Sequence, residues 1–311
     1  MGLTPAAESA ARAADLADFP RAAYPALFQA ADAAATVAQR AHVRLVAIEL
    51  LLVILGAALG SAAAFDASLA TVMPMFAGAS FLAAAALKVV ERDRRYDRQW
   101  LDARAIAETV RTTAWQYMMR VPPYDDDATA DEAFATALRA SLEARPNLTA
   151  SLTTSPAGSR QISADMRAER ARPVSERRDR YRAARLADQI AWYRRKGAGH
   201  TRRASQFFWL ALAAQLGALL VAGVSTAQPA LSRFNLLGVL AAIASTATAI
   251  SQLNRHDDLA RTYGLAFQEL SLIDGLAETA KTEAALRRVV SDGEGVIARE
   301  HKLWLGGSTG G

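Results

Sequence analysis

Ser245, Thr248 and Gln252 recur at helical spacing near one end of an apolar run, with Thr246 and Ser251 alongside. Polar groups inside such runs are costly in a bilayer, so each needs a partner or a water-lined path. Two chemistries are open to them: lining a pore for ions, or hydrogen bonding between closely packed membrane helices. Gln215, in the middle of another run, is a further candidate for a polar interior contact. Glu49 and Lys88 lie inside two more runs, at similar depth if those runs are antiparallel. There a carboxylate and an ammonium pair or snorkel, and proton-coupled transport through Glu49 is the less favoured role.

Catalysis finds less support. The chain has no cysteine, which excludes disulfides, thiolate zinc sites and cysteine nucleophiles. His42, His200, His256 and His301 stand singly, without metal-site spacing on one helix face. Tyr124-Asp125-Asp126-Asp127 forms an acidic stretch, but no calcium-loop spacing follows it. Helix capping and a solvated loop account for it better than a metal. No acid, base, nucleophile and metal converge, so no enzyme and no cofactor are expected.

The elements that must position these residues are transmembrane helices. A run of about 20 apolar residues crosses the bilayer core, and only a helix or a closed barrel satisfies its backbone there. Four segments meet that length: 43–65, 69–90, 207–226 and 234–253. The short connections Phe65-Asp66-Ala67-Ser68 and Ala227 to Arg233 make each pair an antiparallel hairpin. Arginines and lysines crowd every flank except the two tips, where only Arg233 lies. The positive-inside rule then puts both tips outside and everything else, including both termini, in the cytoplasm. A signal peptide is disfavoured, because the segment before the first run is far too long for an n-region. The net charge of +5 would suggest nucleic acid, but it sits beside the apolar runs, where it meets headgroups instead. Gly56 to Gly60, and Gly238 with Ala242, are small-xxx-small spacings that favour close helix approach.

The expected architecture is an all-α integral membrane protein, two hairpins with long cytoplasmic helical extensions. A tail (1–23) precedes a first unit (24–120) whose cytoplasmic helix, 91–120, continues the second span until Val121-Pro122-Pro123 stops it. A cytoplasmic linker with short helices, one over 131–145, covers 121–173, and its stretch from Asn147 to Gly158 is rich in Ser, Thr and Pro. A second unit (174–292) ends in a cytoplasmic helix, 254–291. There Leu259, Tyr263, Ala266, Leu270, Ile273, Ala277 and Ala280 form a packed seam and Asp292-Gly293 a stop. A tail (293–311) follows. Ala31-Asp32 and Ala187-Asp188 before the hairpins, and Ala107-Glu108 and Gln268-Glu269 after them, suggest a duplicated unit.

Arg185-x-x-Asp188-Gln189-x-x-Trp192-Tyr193-x-x-Lys196-Gly197, directly before a hairpin, resembles the entry to a SLATT domain, the SMODS- and SLOG-associating two-transmembrane effector domain. Gly197 replaces the commoner alanine. The first half is similar to a second branch of that family. There Tyr24, Leu27, Phe28, Ala31, Asp32, Gln39 and Arg40 lead into the hairpin, and Trp100, Arg104, Glu108, Trp115 and Tyr117 follow it. The resemblance spans roughly Tyr24 to Glu278 as a tandem pair. It implies a bacterial membrane effector, thought to form pores in nucleotide-signal-dependent defence systems, with no catalytic residues. The chain shows no glycine-rich phosphate loop, so a cytoplasmic partner would sense the signal. The expected partners are the bilayer, further copies of the chain and that sensor. On a helix Arg185, Gln189, Trp192 and Lys196 share one face, which suits a stalk contact and a headgroup anchor better than a gate.

Overall fold

The computed structural model describes residues 19–62, 71–148, 152, 160–227, 236–253 and 255–308, and among these every regular element is a helix. Both hairpin tips and most of the stretch from Asn147 to Gly158 lie outside the described residues. The chain divides into two compact units, whose described parts run from Phe19 to Arg172 and from Pro173 to Gly307.

In the first unit α1 (Ala26–Ala62) packs along both α2 (Met73–Arg94) and α3 (Tyr96–Met118). Small residues set the approach of α1 to α2. A Cβ on Gly56 would meet the Phe81 ring at 3.0 Å, and Ala77, Ser80 and Ala84 are buried. Toward the other end of α1, Ala31 and Ala35 are buried, as are Ala103, Ile106, Ala107 and Val110 of α3. An aromatic core closes that end, where the Trp115 Nε1–H donates to Tyr24 Oη at 3.0 Å. Two further helices, α4 (Ala130–Glu143) and α5 (Ala164–Arg170), pack against α3. The amphipathic spacing of α4 buries Phe134 and Leu138. Ser163 caps α5, accepting from the Met166 N–H at 3.1 Å and donating to the Ala23 carbonyl at 2.6 Å.

The second unit has the same layout. After α6 (Val174–Arg180) and a π-helical segment, Tyr181–Leu186, the long α7 (Ala187–Ala227) packs along α8 (Leu236–Leu253) and α9 (His256–Glu278). Buried Ala211 and Ala214, with Gly217 against Leu240, mark the contact of α7 with α8, where Ala244 and Ala247 are also buried. Gly197 lies against Tyr263 of α9. A last helix, α10 (Glu283–Ser308), contributes Leu286, Val290 and Ile297 to the core.

Among the described residues two stretches, Met73–Met118 and Val174–Ala227, are long and apolar enough to cross a membrane, and only 11% and 6% of their most apolar parts are buried within the chain. A soluble core helix would hide that surface. Here Phe76, Leu82, Phe208, Leu219 and Leu220 stand exposed, as side chains facing lipid do.

Three expectations are corrected. The helix over 91–120 is broken at Arg95, whose φ of 49° and ψ of 43° end α2 with the Arg95 N–H on the Glu91 carbonyl at 2.9 Å. The Gln99 side chain then covers the Arg94 carbonyl at 2.9 Å. The segment 121–173 holds short helices, as expected, and these, α4 and α5, bury apolar and charged side chains against α3. The helix over 254–291 is two helices, α9 and α10, which part after Glu278. Asp292-Gly293 is no stop, so the tail from 293 is helical to Ser308. Gly293 is there for close packing: a Cβ on it would sit 2.7 Å from Tyr181 Oη.

Candidate functional site

Helix α8 turns Ala244 and Ala247 inward, and by helical geometry its polar residues fall elsewhere. Ser245, Thr246, Thr248 and Gln252 are exposed, with the Thr248 hydroxyl donating to the Ala244 carbonyl at 2.9 Å. On α7, Gln215 is exposed as well, so the interior contact expected of it is not made within its own hairpin. Together they give each helix of this hairpin polar groups outside the α7–α8 contact.

Where α2 ends, the charges expected within the spans meet. Lys88 Nζ lies 2.9 Å from Glu49 Oε2 and 3.1 Å from Glu91 Oε2, and His42 Nδ1 lies 3.4 Å from Glu91 Oε1. Glu49 is largely covered while Lys88 reaches outward, the geometry of a snorkelling ammonium on a part-buried carboxylate.

The corresponding level of the second unit holds a pair that sequence spacing does not reveal. His200 of α7 and His256 of α9 face each other with their Nδ1 atoms 3.0 Å apart, and Phe207 stacks on His256. Burial holds both imidazoles below their ordinary range. At His200 the neighbouring His256, Arg203 and Lys196 add to this; at His256 Arg203 adds and Asp257 opposes. The folded state therefore binds fewer protons than the unfolded chain, and stability that is complete above pH 6.5 is lost as pH falls below it. Hydrogen-exchange protection across residues 196–207, corrected for the pH dependence of the intrinsic rate, should fall on acidification through that value. His256→Phe, which keeps the stacking and removes one of the two titrating imidazoles, should reduce that loss of protection; an unchanged pH profile in that variant would disprove the assignment.

The residues of the family-like motif divide between core and surface. Arg185 and Glu294 are fully buried, joined by two hydrogen bonds of 2.9 and 2.8 Å, and the Tyr181 hydroxyl donates to the same carboxylate at 3.2 Å. Burial pushes the Tyr181 phenol well above its usual range. Arg185 thus serves the core, and is no headgroup anchor. Gln189 and Tyr193 are buried, Trp192 packs edge-on against Tyr193 and Tyr263, and exposed Lys196 lies over the Trp192 ring. The four residues expected on one face therefore differ in exposure from Arg185 to Lys196, and the π-helical segment that includes Arg185 shifts it relative to α-helical spacing. Asp188 accepts from the Gln189 side chain at 3.0 Å.

In the first unit Arg104 bridges Glu108 at 2.5 Å and Asp32 at 3.5 Å, and Trp100 is partly buried. The acidic stretch is used up locally. Asp126 accepts from the Ala128 N–H at 3.0 Å, and Asp127 accepts from Arg170 at 2.6 Å and Arg120 at 3.0 Å. Arg170 also donates to the Tyr117 carbonyl at 2.7 Å and stacks over the Tyr117 ring. These contacts tie α5 to the end of α3. Among the described residues no group of three or more His, Cys, Asp or Glu could hold a metal ion.

Outward apolar shells, polar residues outside the helix contacts and charges gathered at the helix ends define an all-helical membrane protein. Its family follows from comparison with family models. Residues 25–178 match SMODS and SLOG-associating 2TM effector domain 3, and residues 181–304 match SMODS and SLOG-associating 2TM effector domain 1. The chain belongs to the SLATT family and carries two such effector domains in tandem. Comparison with curated proteins and with solved structures found no match.

Proposed function

We propose that this chain is a four-span effector of the bacterial inner membrane, with cytoplasmic termini, whose copies assemble around an ion-permeable pathway. The observation that carries the proposal is the outward exposure of Ser245, Thr248, Gln252 and Gln215. A hairpin surrounded by lipid alone would leave two carboxamides unpartnered in or near hydrocarbon. Copies arranged around water supply partners to every one. The apolar halves of α1 and α8 serve as the first and fourth spans. The family's association with conflict systems makes loss of the membrane potential the natural output, without catalysis by this chain. A cytoplasmic sensor protein receives the signal, as the chain has no phosphate-binding loop of its own.

The rival reading is a non-conducting scaffold that anchors a cytoplasmic partner. Leu265, Leu272 and Leu276 favour it: they recur at seven- and four-residue steps on α9 and are each more than 60% exposed. Such a stripe docks a helix. The test is membrane potential in bacteria expressing the chain, beside Ser245→Leu/Thr248→Leu/Gln252→Leu at matched membrane levels. The expected result is depolarisation by the native chain and its loss in the variant. Equal depolarisation by both would sink the polar pathway. Depolarisation by neither, with the partner still recruited, would establish the scaffold.

A further inference from the structure

The end of α2 and the start of α3 border an open cleft of about 740 Å³, lined by Lys88, Glu91, Arg92, Arg95, Asp97 and Arg98. Four cations face two carboxylates there. Lys88 is already engaged by Glu49 and Glu91. Arg92, Arg95 and Arg98 have no ion-pair partner among the described residues, whereas Arg104, Arg120, Arg167, Arg170, Arg182 and Arg185 each have one. Three unpaired guanidinium groups converging on one cleft form a receptor for a phosphate, which their planar donor forks fit in pairs. Arg95 also adopts a left-handed backbone that residues other than glycine rarely take up, and such outliers cluster at ligand sites.

The surface leading into the cleft identifies the source of the phosphate. Leu82, Val89 and Val90 are exposed on the same helix, α2, with Val89 at the last turns before Arg92. A ligand with an anionic head and an apolar tail satisfies both surfaces, and a free anion satisfies one. We propose that the cleft binds the headgroup of a single anionic phospholipid of the cytoplasmic leaflet, its phosphate held by Arg92, Arg95 and Arg98. This rests on the orientation proposed above, in which α2 ends on the cytoplasmic side. A lipid seated at the Arg95 break would make the angle between α2 and α3 sensitive to the composition of the leaflet.

The experiment counts lipids retained by the full chain in neutral detergent, by native mass spectrometry, after addition of phosphatidylglycerol or phosphatidylcholine with the same acyl chains. The expected result is one phosphatidylglycerol per chain in clear preference to phosphatidylcholine. Arg92→Gln/Arg95→Gln/Arg98→Gln should weaken that retention by roughly tenfold or more. Asp97→Asn removes a carboxylate from the cleft wall and should strengthen it, a gain that a merely misfolded chain would not give. Equal retention by the native chain and the triple variant overturns the proposal, as does equal retention of the two lipids. Displacement of phosphatidylglycerol by millimolar inorganic phosphate would assign the cleft to a soluble anion and overturn the lipid. Because the native chain has no cysteine, Gln99→Cys reports sidedness separately. Labelling of that cysteine from outside intact cells would refute the orientation while leaving the lipid count to stand or fall alone.

Discussion

Glu294→Ala should lower the stability of the second unit by about 3–5 kcal/mol, because it strands a buried guanidinium. Arg185 and Glu294 have no exposed surface, and their fork-to-fork hydrogen bonds join residues 109 positions apart. With the carboxylate gone, Arg185 keeps its charge in a site closed to water and Tyr181 loses its acceptor. The pair need not be stabilising relative to an apolar one, so Arg185→Met/Glu294→Leu should recover most of the loss. Thermal melts of the detergent-solubilised chain, followed by circular dichroism, measure both. If Glu294→Ala melts with the exposed-site control Glu132→Ala, the buried pair carries no such weight.

Gly293→Ala is expected to cost about 1–3 kcal/mol, because the new methyl would sit 2.7 Å from the Tyr181 hydroxyl and 3.4 Å from Leu186. Tyr181 is fully buried, so its ring cannot swing away into solvent. Removing the hydroxyl should therefore relieve the methyl. Gly293→Ala/Tyr181→Phe is expected to lose less stability than the two single changes summed, and the same melts read the difference as a coupling. Strict additivity would mean that the close approach is not what requires glycine.

The same position shows where sequence reasoning stops. Glycine after aspartate reads as a helix end, yet glycine also permits close helix packing, and only the location of Tyr181, 112 positions earlier, distinguishes the two. The apolar runs in α2 and α7 were legible because length and composition alone limit what such runs can be. So was the short helix α4, whose Phe134 and Leu138 fall four apart. The breaks at Arg95 and Arg255 were not, since arginine carries no signal for a left-handed backbone. Pro122-Pro123 and the Ser, Thr and Pro beyond it suggested a linker, while the contacts that fix this segment, Arg170 with Asp127 and Tyr117, lie 43 and 53 positions apart. His200 and His256 come together only through the register of two helices joined by a hairpin. Arg185 was legible as part of a motif, but its burial depends on a carboxylate in the last helix.

The left-handed arginines that separate α2 from α3 and α8 from α9 lie 160 positions apart, each with φ near 50°. A continuous helix is a drive shaft: turning one end turns the other. One residue of opposite hand interrupts the hydrogen-bond ladder and so breaks the shaft at that point. In each unit, torque applied to the helix that follows the joint is spent there, while a sideways push on that helix levers the one before it.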